Sequence, residues 1–327
     1  MNLAKVDQIA KAVLYEGYML YPYRPSSVKN QQRWNFGVVY PQPYSEAQGG
    51  QETCSIKAEC LVAGAFGTVL ETRVRFLHLQ TRSIRASTVV KAGSLPDGWQ
   101  EAVEREVSLP ELQLKTLCRE QTHPFLFPTQ VHLDSEDRNQ VEHRQEAIEG
   151  TVTLFAERVG ENLFKVSVHL RNVTPTDSAA ESRDGALMHS LVSTHMVLGV
   201  RDGEFISLLE PPTELHELAA QCQNVGVWPV LVGDEGQRDT MLASPIILYD
   251  YPQIAPESAG DLFDGTEIDE ILSLRIMTLT DEEKSEIRQS DDRARQILER
   301  TEAMPAEQFM KLHGALRGLR PLKEDAS

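Results

Sequence analysis

Strict alternation of apolar and polar side chains through Phe164-Lys165-Val166-Ser167-Val168-His169-Leu170-Arg171 predicts a β-strand with Phe164, Val166, Val168 and Leu170 on one buried face. Residues 151–159 carry Val152 and Leu154 in the same phase. Gly160-Glu161-Asn162 supplies turn chemistry between the two runs, so the pair reads as an antiparallel hairpin. A second hairpin is expected where residues 191–200 and 204–209 flank Arg201-Asp202-Gly203, because glycine accepts the positive φ of a tight turn. Further strands are predicted over residues 69–79, 227–232 and 243–249.

Helical spacing is confined to a few stretches. Ile9, Val13 and Leu14 predict a short amphipathic helix over residues 3–18, ended by Pro22 and Pro25, and residues 21–50 read as ordered irregular chain with short extended pieces such as 34–40. Thr213 is placed to cap a helix that carries Leu215, Leu218 and Ala219. Residues 96–145 are mixed, with Leu109, Leu112, Leu114 and Leu117 interrupted by Pro110, and support no assignment. After Pro256 the character changes. Thr266-Glu267-Ile268-Asp269 and Thr280-Asp281-Glu282-Glu283 both match the capping box, in which a threonine oxygen and a carboxylate three residues on satisfy free amides at a helix start. A third helix is expected from Pro305 through Phe309, Leu312 and Leu316 to Gly318.

These patterns predict an α+β chain. Residues 1–255 form a β-rich, antiparallel, sandwich-like body with an aromatic N-terminal segment, a partly closed barrel being the alternative. Residues 256–327 form an acidic helical C-terminal segment.

Composition changes this picture in three ways. A chain of 327 residues with 41% hydrophobic content can bury a large core in one or two domains. A net charge of -17 opposes attraction to phosphate backbones or anionic lipid, so no nucleic-acid partner is expected. The opening Met1-Asn2-Leu3-Ala4-Lys5 lacks the apolar run of a secretion signal, and no run of eighteen apolar residues occurs, so a cytoplasmic protein without membrane insertion is expected. Cys54, Cys60, Cys118 and Cys222 are too few to form a disulfide framework in a chain this long and read as reduced thiols.

Candidate chemistry begins with aromatics. Six of the eight tyrosines fall in the first 44 residues. Tyr21, Tyr23, Arg24, Lys29, Arg33 and Trp34 set amphipathic rings beside cations, the combination enriched at protein interfaces, and are the candidate partner-binding residues. The plain alternative is that these rings cover the sheet. Residues 257–292 hold twelve carboxylates against Arg275, Lys284 and Arg288, a surface for a basic partner or an ordinary solvated helix face. Asp261-Leu262-Phe263-Asp264-Gly265 fails the spacing of a calcium loop. His189 and His195, if on one straight strand, lie roughly 20 Å apart at about 3.3 Å per residue, too far for one metal. Cys54 and Cys60 lack CxxC spacing, and a Cys222 nucleophile with His216 is poorly aligned on a helix. Neither GxGxxG nor GxxxxGK[ST] occurs. No catalytic residue, metal or cofactor is therefore expected.

Two segments carry a resemblance: Tyr21-Pro22-Tyr23-Arg24-Pro25-Ser26-Ser27-Val28-Lys29-Asn30-Gln31-Gln32-Arg33-Trp34-Asn35-Phe36-Gly37, and Ser244-Pro245-Ile246-Ile247-Leu248-Tyr249-Asp250-Tyr251-Pro252, continuing through Ala255-Pro256-Glu257-Ser258 to Thr266-Glu267-Ile268-Asp269-Glu270. In both, the chain resembles a little-characterised bacterial family encoded among genes for uptake [NiFe] hydrogenases. The resemblance implies an accessory part in hydrogenase assembly, maturation or regulation, with a hydrogenase subunit or maturation factor as partner, and brings no catalytic residues with it. The His-rich tracts, paired CxxC or phosphate loop of metal- and nucleotide-handling maturation factors are absent from the sequence, which favours a scaffold-like role. The competing expectation is a hydrolase-like enzyme or small-molecule binder whose site assembles only in the fold.

Overall fold

The computed structural model describes Val6, Ile9, Ala10 and Leu14, residues 34–85, 99–136, 139–176, 182–253 and 279–288, and Arg295, Leu298, Glu299 and 301–303. The chain divides into two compact units, Met1–Gln253 and Ile254–Ser327.

The first unit is built around β1, Ser55–Arg85, a strand of 31 residues. Along one edge it pairs with β8 (Leu163–Asn172), then β3 (Leu112–Gln113), then β2 (Trp99–Ser108). Along the other it pairs with β9 (Val192–Ile206) and then β6 (Asn139–Gln145). The remaining strands are β4 (Gln121–Phe127), β5 (Gln130–Glu136), β7 (Ile148–Gly160), β10 (Trp228–Leu231) and β11 (Thr240–Ser244). The eleven-stranded antiparallel sheet runs β10-β11-β9-β1-β8-β7-β4, with β2, β3 and the β5–β6 pair attached through β1. Among the described residues the two ends of the path do not pair, so the sheet is not closed.

The expected β7–β8 hairpin is present, with Val152 opposite Leu170, Leu154 opposite Val168 and Ala156 opposite Val166, all buried. Alternation works here because one face meets the core and the other is half-solvated. The second expected hairpin is absent. β9 runs unbroken through Arg201-Asp202-Gly203, and four residues of β1, 65–68, face Asp202 alone between the pairs Gly64↔Gly203 and Val69↔Arg201. The residue in left-handed conformation is Asp202, at φ 61°, and the Thr68 hydroxyl donates to its carbonyl at 2.7 Å. Gly203 is needed for closeness: a Cβ there would come 2.7 Å from Thr68 Cγ2 and 2.9 Å from the Ala63 carbonyl oxygen. The same residue chemistry that makes a tight turn here makes a β-bulge, which bends β1.

The bend lets the sheet fold over its own core. β4 is three strands from β1 along the path, yet the Phe127 and Phe76 rings meet edge to face at 5.6 Å. Between them lie Ile56, Ala58, Cys60, Val62, Leu70 and Val74 of β1, the inward residues of β7, β8 and β9, and fully buried Leu114 and Leu117 of helix α2, Leu114–Leu117. The outer face of β1 is covered twice. Leu77 and Leu79 pack under Leu14, Trp34, Val38, Tyr40, Tyr44 of helix α1 (Gln42–Ala47), and Leu187 and Met188 of helix α3 (Arg183–Met188). Leu61 and Ile206 pack under Leu215, Leu218 and Ala219. The latter three come from a 3-10 turn at Thr213–Leu215 continuing into helix α4, His216–Ala220. Thr213 lies inside that turn instead of capping it; Pro212 stands at the N-cap, and no side chain caps the turn.

Asn172 ties the covering layer to the sheet. Its amide nitrogen donates to the carbonyls of Val39 and His189 at 2.9 and 2.8 Å, and its oxygen accepts from the amide and hydroxyl of Thr174. A fully satisfied buried amide of this kind fixes its neighbours, because any displacement strands a polar atom.

Of the N-terminal helix, Val6, Ile9, Ala10 and Leu14 are helical and buried. In the second unit, helix α5 (Asp281–Arg288) begins directly after Thr280, whose carbonyl accepts the Lys284 amide at 2.9 Å. Lys284 and Arg288 both pair with Glu302. The helices expected from residues 266 and 305 lie outside the described residues.

Candidate partner-binding site

Tyr21, Tyr23, Arg24, Lys29 and Arg33 lie outside the described residues. Trp34 is 3% exposed and sits in the outer core against Leu77 and Leu79. Its backbone is left-handed at φ 64°, and its carbonyl accepts from Arg183, which also holds Asn35. The Trp34 ring is therefore a covering element of the sheet.

The chain that follows Trp34 meets the second segment of the resemblance. The carbonyls of Phe36 and Gly37 accept the amides of Ser193 and Thr194 at 3.0 Å, which lays this stretch along the start of β9. Gly37 is left-handed at φ 53°, and a Cβ on it would come 2.6 Å from Pro245 Cγ. The two segments thus touch, although more than two hundred residues of chain lie between them.

Residues 243–249 were expected as strand; β11 ends at Ser244, because Pro245 has no N–H to continue the ladder. The loop beyond is pinned at its far end. The Asp250 carboxylate accepts the Leu231 amide at 2.7 Å and the Ser207 hydroxyl at 2.5 Å. Tyr251, left-handed at φ 57°, donates its amide to the Leu231 carbonyl at 2.7 Å and packs on the main core. Between the Pro245 contact and the Asp250 anchor, Ile247 is 72% and Tyr249 85% exposed. Phe36, beside the Gly37–Pro245 contact, is 42% exposed, and Trp228, paired with Ser244, is 44% exposed. Isolated surface apolars are ordinary, but an aliphatic and an aromatic side chain presented by a loop fixed at both ends lose little entropy on docking.

The titratable groups fall elsewhere. On the face of β1, β2, β6 and β5, Gln80 and Glu101 bond at 2.9 Å, Glu101 lies 3.5 Å from His143 Nδ1, and His143 Nε2 lies 3.7 Å from Asp134. Asp134 in turn meets His132 at 2.9 Å. The sequence could not assign this array, since its members come from four strands: Gln80 of β1, Glu101 of β2, His143 of β6, and Asp134 and His132 of β5. His189 is not a strand residue but the C-cap of α3, while His195 is in β9 and fully buried. Burial lowers the His195 and His78 imidazoles to about 4.

Cys60 is sealed in the core, where burial and the neighbouring Cys222 and Glu59 raise its thiol. Burial and Glu59 push Cys222 up to about 11, which keeps it a thiol at neutral pH and opposes its reading as a nucleophile. Glu59 itself is held below the usual carboxylate range: burial acts to raise it, but the Gln223 amide and the Lys57 ammonium outweigh that. A groove of about 320 Å³ at the β1 bulge is flanked by Glu71, Asp202 and Asp239 and by Arg201, which is paired with Glu111 at 2.7 Å. Among the described residues no three His, Cys, Asp or Glu side chains are grouped to hold a metal ion, and no helix is long and apolar enough to cross a membrane. No protein-family model matches the chain, and no curated protein matches it in sequence.

Proposed function

We propose that this chain is an accessory protein that works by protein–protein contact, docking a partner on the loop that carries Ile247 and Tyr249. The observation that carries the reading is the exposure of those two side chains, 72% and 85%, on a loop clamped by Pro245 against Gly37 and by Asp250 against Leu231 and Ser207. Buried aromatic and aliphatic anchors dominate interface energetics, and a rigid presentation spares the cost of ordering them. Tyr21, Tyr23, Arg24, Lys29 and Arg33 belong in sequence to the same segment of the resemblance as Gly37, and on that ground they are assigned to the same partner. On the resemblance of residues 21–37 and 244–252, the partner is a hydrogenase subunit or maturation factor, and the role lies in assembly, maturation or regulation.

Affinity purification of the tagged chain from its native host at physiological salt, with mass spectrometry against a mock control, tests this. Recovery of hydrogenase subunits or maturation factors is the expected result. Their absence while the hydrogenase is expressed overturns the hydrogenase role.

A second reading, a hydrolase-like enzyme or small-molecule binder, draws on the Glu101–His143–Asp134–His132 array, which sets the His143 imidazole between two carboxylates and a second imidazole, His132, on Asp134. It requires turnover or ligand binding that His143→Ala abolishes; unchanged behaviour of that variant removes it.

A further inference from the structure

We infer that β5 is the self-association edge of this protein, pairing antiparallel with β5 of a second copy about a twofold axis at Leu133. Unpaired strand edges invite association, and folded proteins blunt them with proline, charge or cover. This sheet does so at both ends of its path. β4 carries Pro124 at mid-strand. β10 carries Pro229, and the amide and carbonyl of its Leu231 are taken by Asp250 and Tyr251. β2 presents Glu101, Glu104 and Glu106.

β5 differs: it has no proline and, among the described residues, no covering element, and its carboxylates, Asp134 and Glu136, share the strand with His132. It is seven residues long, has no lysine, and pairs only with β6 among the described residues. Residues 130–134 are exposed on both faces of the strand, with Val131 52% and Leu133 49% exposed. An uncovered edge is either a hazard or an interface, and the order of the polar residues along β5 decides which.

The sequence Gln130-Val131-His132-Leu133-Asp134-Ser135-Glu136 is complementary to itself read backwards. Centred on Leu133, antiparallel pairing sets His132 opposite Asp134 of the second copy, and the reverse, while Leu133 meets Leu133. Directly opposed residues share a face and approach within side-chain reach, where an imidazole N–H can donate to a carboxylate and apolar pairs pack. The distance at which His132 Nε2 already meets Asp134 Oδ1 within one strand, 2.9 Å, shows that both side chains project on the same face. The product is a β6-β5-β5-β6 ribbon with an isologous interface, the arrangement that closes as a dimer instead of growing into a fibre. This inference is independent of the partner loop.

Size-exclusion chromatography with light scattering on the full chain, over a concentration series, tests it. A mass rising to twice 36.7 kDa is expected. Leu133→Lys places like charges at the axis and should weaken the dimer about tenfold or more. His132→Asp sets two carboxylates opposite one another and should weaken it as well, whereas the double variant His132→Asp with Asp134→Lys restores an opposite-charge pair and should restore the dimer. A chain monomeric at every concentration, or a dimer indifferent to Leu133→Lys, overturns the inference. Failure of the double variant to recover while its circular dichroism matches wild type does so too.

Discussion

Acid should destabilise the first unit well above the pH at which carboxylates titrate, and two buried histidines set the size of the effect. His78 on the inner face of β1 and His195 in β9 are both fully buried. His78 Nε2 lies 2.9 Å from the Glu146 carbonyl, and His195 Nδ1 lies 2.6 Å from the Ser193 carbonyl. A carbonyl only accepts, so each of these nitrogens carries the proton, and the other nitrogen of each ring, His78 Nδ1 and His195 Nε2, has no hydrogen-bond partner among the described residues. Protonation would place a second N–H and a positive charge in apolar surroundings, beside the Phe127 ring and the Arg105 cation for His78. Burial therefore lowers both from the ordinary 6.5 to about 4. Between those values the unfolded chain binds more protons than the folded one, so stability is fully present above pH 6.5 and is lost as pH falls toward 4. At about pH 5 each histidine costs roughly 2 kcal/mol and the pair about 4 kcal/mol, a large part of the stability of an ordinary domain. His169, lowered by burial, acts in the same direction. Carboxylates held low, Glu59 and Glu106 among them, lose their contribution below their ordinary 4.5, so above that pH the histidines carry the change. Urea unfolding at about pH 7.5 and about pH 5 gives the difference directly, and the double variant His78→Leu with His195→Leu should remove about 4 kcal/mol of it, whatever its effect on absolute stability. An undiminished pH difference in that variant refutes the assignment.

Asp250→Ala strips the acceptor from the Leu231 amide and the Ser207 hydroxyl. It should cost about 2–4 kcal/mol by denaturant unfolding, with Asp250→Asn intermediate. Trp34→Ala empties a buried site in the outer core and should cost about 3–5 kcal/mol; a loss of less than about 1 kcal/mol would return the ring to the surface role first expected of it. Gly203→Ala drives a methyl into Thr68 and the Ala63 carbonyl and should cost about 1–3 kcal/mol, partly recovered by Thr68→Ser.

What was legible in the sequence was whatever follows a single period. The β7–β8 hairpin could be read because one face of each strand is buried and the other is not; its register, with Val152 opposite Leu170, comes from the structure. Arg201-Asp202-Gly203 was misread because a left-handed aspartate next to glycine serves a bulge as well as a turn, and only the partner strand decides between them. Residues 130–134 gave no pattern because both faces of β5 are exposed. Trp34 shows the limit of composition: an aromatic beside cations reads as interface, yet its place depends on Leu77 and Leu79, distant in sequence. Pro245 was the visible signal that the run 243–249 could not remain strand. The projection of Ile247 and Tyr249 from its end depends on the Asp250 anchor, which only the fold reveals.

Docking on the 245–251 loop is tested most directly by comparing wild type with the double variant Ile247→Ser and Tyr249→Ser in quantitative affinity purification from the native host, alongside thermal unfolding of both proteins. The account predicts that the variant loses the retained partner while its midpoint matches wild type, since both side chains are largely solvated. Full retention of the same partner by the variant would contradict it.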